Sequence, residues 1–257
     1  MKKTRVIVLL LGLAVFGPAA AAFCQFLEII PATDSIAAGK GAAIGVDLAL
    51  SVPGAAALLD LAAPEALFVL HGGERRDLSS VLVPARGDGG TLYRFSVPVA
   101  SQGDHVVAVT AAPVWDAARQ KLIARSAKVV VNGAPATTGW DEPVRFPVEI
   151  DPLVRPYGLW TGNCFRGVVK QNGRPVPFAE IEVMFRGSSG EGKISRPFPP
   201  QLLVADINGV FVYAMPRAGW WGFAGRIEGE MTEYEGRRVE VERVGVIWVR
   251  CIDMAWQ

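Results

Sequence analysis

Histidine is nearly missing: 257 residues hold two, His71 and His105. A site built from several imidazoles, common ligands for divalent transition metals, is therefore beyond this chain alone. Charge of one sign is missing too, since 26 lysines and arginines face 25 aspartates and glutamates. Without a basic surplus no nucleic-acid partner is implied, because neutralising phosphates dominates that affinity. After the N-terminus no apolar run approaches the roughly 20 residues of a membrane span, so none is expected in the mature chain. Catalytic signatures are absent as well. There is no Gly-x-Ser-x-Gly elbow and no His-Glu-x-x-His, and neither histidine, the ready general base near neutral pH, has a nucleophile close in sequence. An enzyme is not expected.

What is present begins with an export signal. Met1-Lys2-Lys3-Thr4-Arg5 is basic, residues 6–16 are apolar, and Gly17-Pro18 leads into the alanines Ala19 to Ala22. These are the three parts of a secretory signal peptide, expected over residues 1–24, with cleavage after Ala22 or after Cys24. The second cut would leave Gln25 as the mature N-terminus. A lipid anchor on Cys24 is the less favoured alternative, because Phe23 stands where a lipoprotein signal wants a small residue. The expected compartment is the periplasm.

Cysteine is scarce, with Cys24, Cys164 and Cys251 in the whole chain. If Cys24 leaves with the signal, two remain in a compartment that permits disulfides. Cys164 and Cys251 are a disulfide candidate, requiring Cα atoms within about 7 Å, and two buried thiols are the alternative.

From Phe26 on, the periodicity is that of strands. Residues 44–50, 68–70, 93–97, 105–109 and 128–131 are short apolar or alternating runs, punctuated by Gly and Pro. Such spacing predicts a sandwich, with at most a helical turn or two over 55–61 and 116–122. Residues 133–156 carry Pro135, Pro143, Pro147, Pro152 and Pro156, which predicts a stiff connector. Strands then follow over 164–170 and 179–185, with Gln171-Asn172-Gly173 as a tight turn. A loop is expected over 187–200, and strands close the chain. The fold class expected is all-β, two immunoglobulin-like or transthyretin-like β-sandwich domains in tandem. They would occupy 25–132 and 157–257, with the connector over 133–156.

The motif Gly173-x-Pro175-Val176-Pro177-x-Ala179 followed by Asp206-x-Asn208-Gly209-x-Phe211 and Pro216-x-x-Gly219-Trp220-Trp221 resembles carboxypeptidase-regulatory or transthyretin-like modules. Further residues are Phe26-Leu27-Glu28-Ile29-Ile30-Pro31, Phe68-Val69-Leu70-His71-Gly72-Gly73, Gly139-Trp140-Asp141-Glu142-Pro143 and Gly162-Asn163-x-Phe165-x-Gly167-Val168-Val169. With these, the mature chain is similar to an exported family of unknown function, described as the periplasmic component of nickel or cobalt uptake systems. The resemblance implies an accessory protein beside an inner-membrane metal permease, binding nickel or cobalt weakly or scaffolding the permease. Family members carry a histidine before the phenylalanine matching Phe26 and a His-Pro pair in the first domain. Here those positions are Gln25 and Val52-Pro53.

That leaves His71 as the candidate metal ligand, with a turn histidine as the bland reading. His105 reads as a cross-strand partner, Asp206-x-Asn208-Gly209 as a turn rather than a calcium loop, and Gly39-Lys40-Gly41 as a plain loop. Trp220-Trp221 reads as core rather than a stacking face for a ligand. The rival function is a metal-independent structural or adhesive envelope module that binds protein or glycan.

Overall fold

The computed structural model describes residues 25–53, 57–186 and 201–254. The expected signal peptide, Cys24 and the loop over 187–200 lie outside the described residues. The first half runs as β1 (Phe26–Pro31), β2 (Ser35–Ala37), β3 (Ala43–Ser51), β4 (Leu58–Leu59), β5 (Ala66–His71) and β6 (Glu74–Asp77). After one 3-10 turn (Ser79–Val81) come β7 (Val83–Arg86), β8 (Thr91–Pro98), β9 (Gly103–Thr110), β10 (Val114–Asp116) and β11 (Lys121–Ala134). The second half has β12 (Val148–Pro152), β13 (Leu159–Trp160), β14 (Cys164–Gln171), β15 (Arg174–Pro175) and β16 (Glu180–Arg186). It ends with β17 (Gln201–Val204), β18 (Val210–Ala214), β19 (Gly219–Tyr234) and β20 (Arg237–Ile252).

The protein is all-β, and its strands stack as β-sandwiches. One sheet holds β1, β3, β8 and β7 in that order, another holds β12, β14 and β15, and between them runs a sheet ordered β17-β16-β19-β20-β11-β9-β5-β6. The two sandwiches follow one another along the chain and share that central sheet. The join is the parallel pairing of β11 with β20, from Lys121 opposite Glu240 to Val129 opposite Trp248. Neither helical turn expected over 55–61 and 116–122 forms among the described residues. Residues 58–59 are β4, and 114–116 pair with β11 as β10.

Side-chain alternation explains why one sheet serves two cores. Successive residues of a strand point to opposite faces. On β20, Val244, Val246 and Trp248 join the core beneath the first sheet, whereas Ile247, Val249 and Cys251 join the core beneath the β12–β14 sheet. On β19, Trp220 and Ala224 face the first core and Trp221 and Phe223 the second. The tryptophan pair is thus core on both sides. Trp248 meets Phe26 edge-on with centroids 6.0 Å apart, and its indole N–H donates to the Leu27 carbonyl at 2.9 Å. Two glycines let the layers close. A Cβ on Gly222 would strike the Trp248 ring 2.8 Å away, and one on Gly245 would run into the Val148 carbonyl of β12.

The proline-rich segment is not connector throughout. Residues 148–152 form β12, which pairs with β14 from Val148 opposite Gln171 to Pro152 opposite Gly167. A strand is tolerated there because β12 is an edge strand, where proline costs no ladder bond. From either side of β12 in the chain, Phe146 and Tyr157 pack with Phe68, Leu70, Val106 and Val130, covering the far face of β5, β9 and β11.

The polar fastening of this layer is Lys128, 2% exposed on β11. Its ammonium donates to Glu149 at 2.5 Å and Asp151 at 3.1 Å, and Lys170 reaches Asp151 at 2.7 Å. Glu149 also accepts backbone N–H bonds from Val144, Arg145 and Phe146. Burial pushes the Asp151 carboxyl up, but Lys128 and Lys170 outweigh it and hold it below its ordinary value. Lys128→Met leaves two buried carboxylates without this cation, and a loss of about 3–5 kcal/mol in urea unfolding is expected. Because the folded Asp151 value is depressed, its stabilisation is present above the unfolded value and lost on acidification. The wild-type unfolding free energy should therefore decline below about pH 4.

Candidate functional site

The two histidines, 34 positions apart in sequence, stack on each other. Antiparallel pairing of β5 with β9 sets Leu70 opposite Val106, so the next pair outward is His71 and His105. Their rings lie 4.1 Å apart at 10°. Alternation places both on the face of β5 and β9 that bears Val69 and Val107, at the end of the first core.

Each ring is committed to the protein. His71 Nδ1 sits 3.0 Å from the Asp104 carbonyl, an acceptor only, so Nδ1 carries the proton. Nε2 then accepts the Ser101 hydroxyl at 2.9 Å. His105 Nδ1 donates to the Gly103 carbonyl at 3.2 Å. Burial, with the neighbouring His71 second, pushes the His105 imidazole down from 6.5 to about 4.

On the opposite face of β9 the buried Asp104 accepts from Asn132 Nδ2 at 2.7 Å. Its Oδ2 has no hydrogen-bond partner among the described residues. Burial and then the Asp104 carboxylate push the nearby Tyr157 hydroxyl up, so it stays protonated at any physiological pH. Ser101, His71 and a carbonyl form a chain like that of a nucleophile with its base. The orienting group, however, is a neutral peptide oxygen, which fixes the tautomer but adds no charge to hold an imidazolium.

The positions implicated in metal binding lie elsewhere. Phe26 pairs with Ser51, so Gln25 and Val52 stand side by side one step beyond. The fold thus brings together the two positions at which the resemblance implies histidines. What occupies them does not suit Ni(II) or Co(II). Val52 offers no donor, and Gln25 is held by the Arg125 guanidinium through its carbonyl at 3.2 Å and its side-chain oxygen at 2.8 Å. A cation beside them would face that buried positive charge. His71 cannot supply the missing ligand. His105 lies opposite Val131, six residues along β11 from Arg125, which is about 20 Å at ~3.3 Å per residue. Among the described residues, no three His, Cys, Asp or Glu side chains are grouped to hold a metal ion.

The structure holds the expected Cys164–Cys251 pair as two free thiols, Cys164 exposed and Cys251 buried. Strand parity separates them. Phe165 points into the second core, so Cys164 points away from it, whereas Cys251 points in from the other sheet. The Cys251 thiol donates to the Arg217 carbonyl at 2.9 Å, and burial pushes it up.

Asp104, Ser101, Asn132 and Tyr157 carried no sequence signal of their own. A histidine ending one strand and another opening a later one was the available clue, and it needed the β5–β9 register to become a contact. Since the folded His105 value lies below its ordinary 6.5, its contribution is intact above that pH and lost as pH falls towards about 4. Unfolding free energy should decline across this window, and His105→Asn should flatten the decline in urea titrations at several pH values.

No curated protein matches the chain. Among solved structures, tandem immunoglobulin domains of titin align over 87% of this chain and 95% of that one, with 10% identity and a TM-score of 0.20. A variant of BcpA, the major pilin subunit of Bacillus cereus, aligns over 89% and 70%, with 12% identity and a TM-score of 0.20. Residues 22–229 match the family described as a domain of unknown function, DUF4198. The chain belongs to the DUF4198 family of unknown function.

Proposed function

We propose that this is a non-catalytic accessory module of the periplasm, acting beside an inner-membrane permease for nickel or cobalt and scaffolding it rather than holding metal through histidine. The setting is what the family resemblance implies, and the export signal expected over residues 1–24 suits it. The scaffolding role rests on one observation. Gln25 and Val52 meet at the end of the β1–β3 ladder, but Arg125 holds Gln25 and Val52 supplies no ligand.

The rival, an envelope module that binds another protein or a glycan, is favoured by apolar side chains on the second sandwich. Phe178 N–H donates to the Asp206 carbonyl, which brings Phe178 beside Ile207, and both are more than half exposed.

Calorimetric titration of the untagged chain starting at Gln25 with Ni(II) and Co(II), near neutral pH, should give no saturable heat. The same chain should co-purify in detergent with the permease whether or not metal is supplied. Stoichiometric metal binding at micromolar affinity would contradict the scaffolding reading. Loss of the permease with metal silent would leave the rival.

A further inference from the structure

A groove of about 490 Å³ opens between the outer side of the first sheet and the end of the central one. Three arginines from three strands reach it: Arg94 of β8, Arg186 of β16 and Arg250 of β20. Each is tethered at one nitrogen. Arg94 Nε bonds Asp47 at 3.2 Å, Arg186 Nη1 bonds the buried Glu28, and Arg250 Nη1 donates to Thr33 at 3.1 Å beside Asp34 at 3.6 Å. Among the described residues, the other two nitrogens of each guanidinium lie outside these bonds. A tethered fork loses little freedom when it takes a carboxylate, and its planar donors match two carboxylate oxygens at once.

Burial alone pushes the Arg186 guanidinium below its ordinary value, so water is partly excluded where charge-assisted bonds would form. The groove also has apolar walls in Phe95 and Trp220, suited to a short carbon skeleton. Two carboxylates share the lining: Asp47, and Asp253, which accepts the Thr161 hydroxyl at 2.7 Å. They would repel a bare polyanion and accept a bond from a ligand hydroxyl.

We propose that the groove binds a small hydroxy-substituted polycarboxylate, its carboxylates on the arginine forks and its hydroxyl on Asp47 or Asp253. The test uses the chain from Gln25 onward and citrate, followed by calorimetry at low ionic strength. Saturable one-to-one binding is expected, weakened about tenfold or more in Arg250→Gln and in Arg94→Gln. Tricarballylate, which is citrate without its hydroxyl, should bind more weakly than citrate. Arg94 is the more exposed arginine, so Arg94→Gln with an unchanged circular dichroism spectrum decides the matter should Arg250→Gln fold poorly. No saturable citrate binding, or equal affinity in wild type and Arg94→Gln, would overturn the proposal. Inorganic phosphate binding as tightly as citrate would also overturn it, as the mark of a general anion site.

Discussion

Everything in this molecule depends on the central sheet being buried on both faces along residues 220–225 of β19 and 244–249 of β20. In a sandwich that stands alone, a strand has one wet face and its residues alternate apolar and polar. Here Val244 to Val249 is apolar on both faces because each face supports a different core. The first sheet and the β12–β14 sheet could not both be covered if β20 were polar on either side. Fully buried Trp248 fills the first core, and its neighbours Ile247 and Val249 fill the second. The parallel pairing of β11 with β20 then makes the first half a continuation of the second.

A double-sided sheet leaves little tolerance for polar groups, and most of those buried against it are fastened, Asp104 Oδ2 and Glu242 Oε1 being exceptions among the described residues. Lys128 faces the layer of β12 and is answered by two carboxylates and a second cation, Lys170. Glu28 on the other side of the sheet takes Ser51 and Arg186, which ties the first strand of the molecule to β16 of the second half. The histidine pair belongs to the same pattern. It closes the end of one core through hydrogen bonds to carbonyls and a serine, which uses up the chemistry that a ligand would have needed. The arginine groove lies at the seam between the halves.

Much of the strand content was legible, because alternation and turn residues are local. Gln171-Asn172-Gly173 turned the chain where expected, between β14 and β15, and Asp206-x-Asn208-Gly209 is a turn whose aspartate accepts the N–H of Asn208 and Val210. Trp220-Trp221 read as core, though not as core on two faces. The pairing of residues 121–129 with 240–248 was illegible, since nothing local marks a parallel partner more than a hundred residues away. That same blindness made the proline-rich stretch look like a bare connector, when Val148–Pro152 is an edge strand over Gly245. The two cysteines stand as free thiols because strand parity turns Cys164 outward while Cys251 points into the core, a difference their sequence spacing does not carry.

Calorimetric unfolding of the chain from Gln25 onward tests the shared sheet most directly. A single transition is predicted, with the calorimetric enthalpy equal to the van't Hoff enthalpy, because neither sandwich keeps its core once β19 and β20 are lost. Two separable transitions, each with its own enthalpy, would show that the halves fold as independent domains and would contradict a common central sheet.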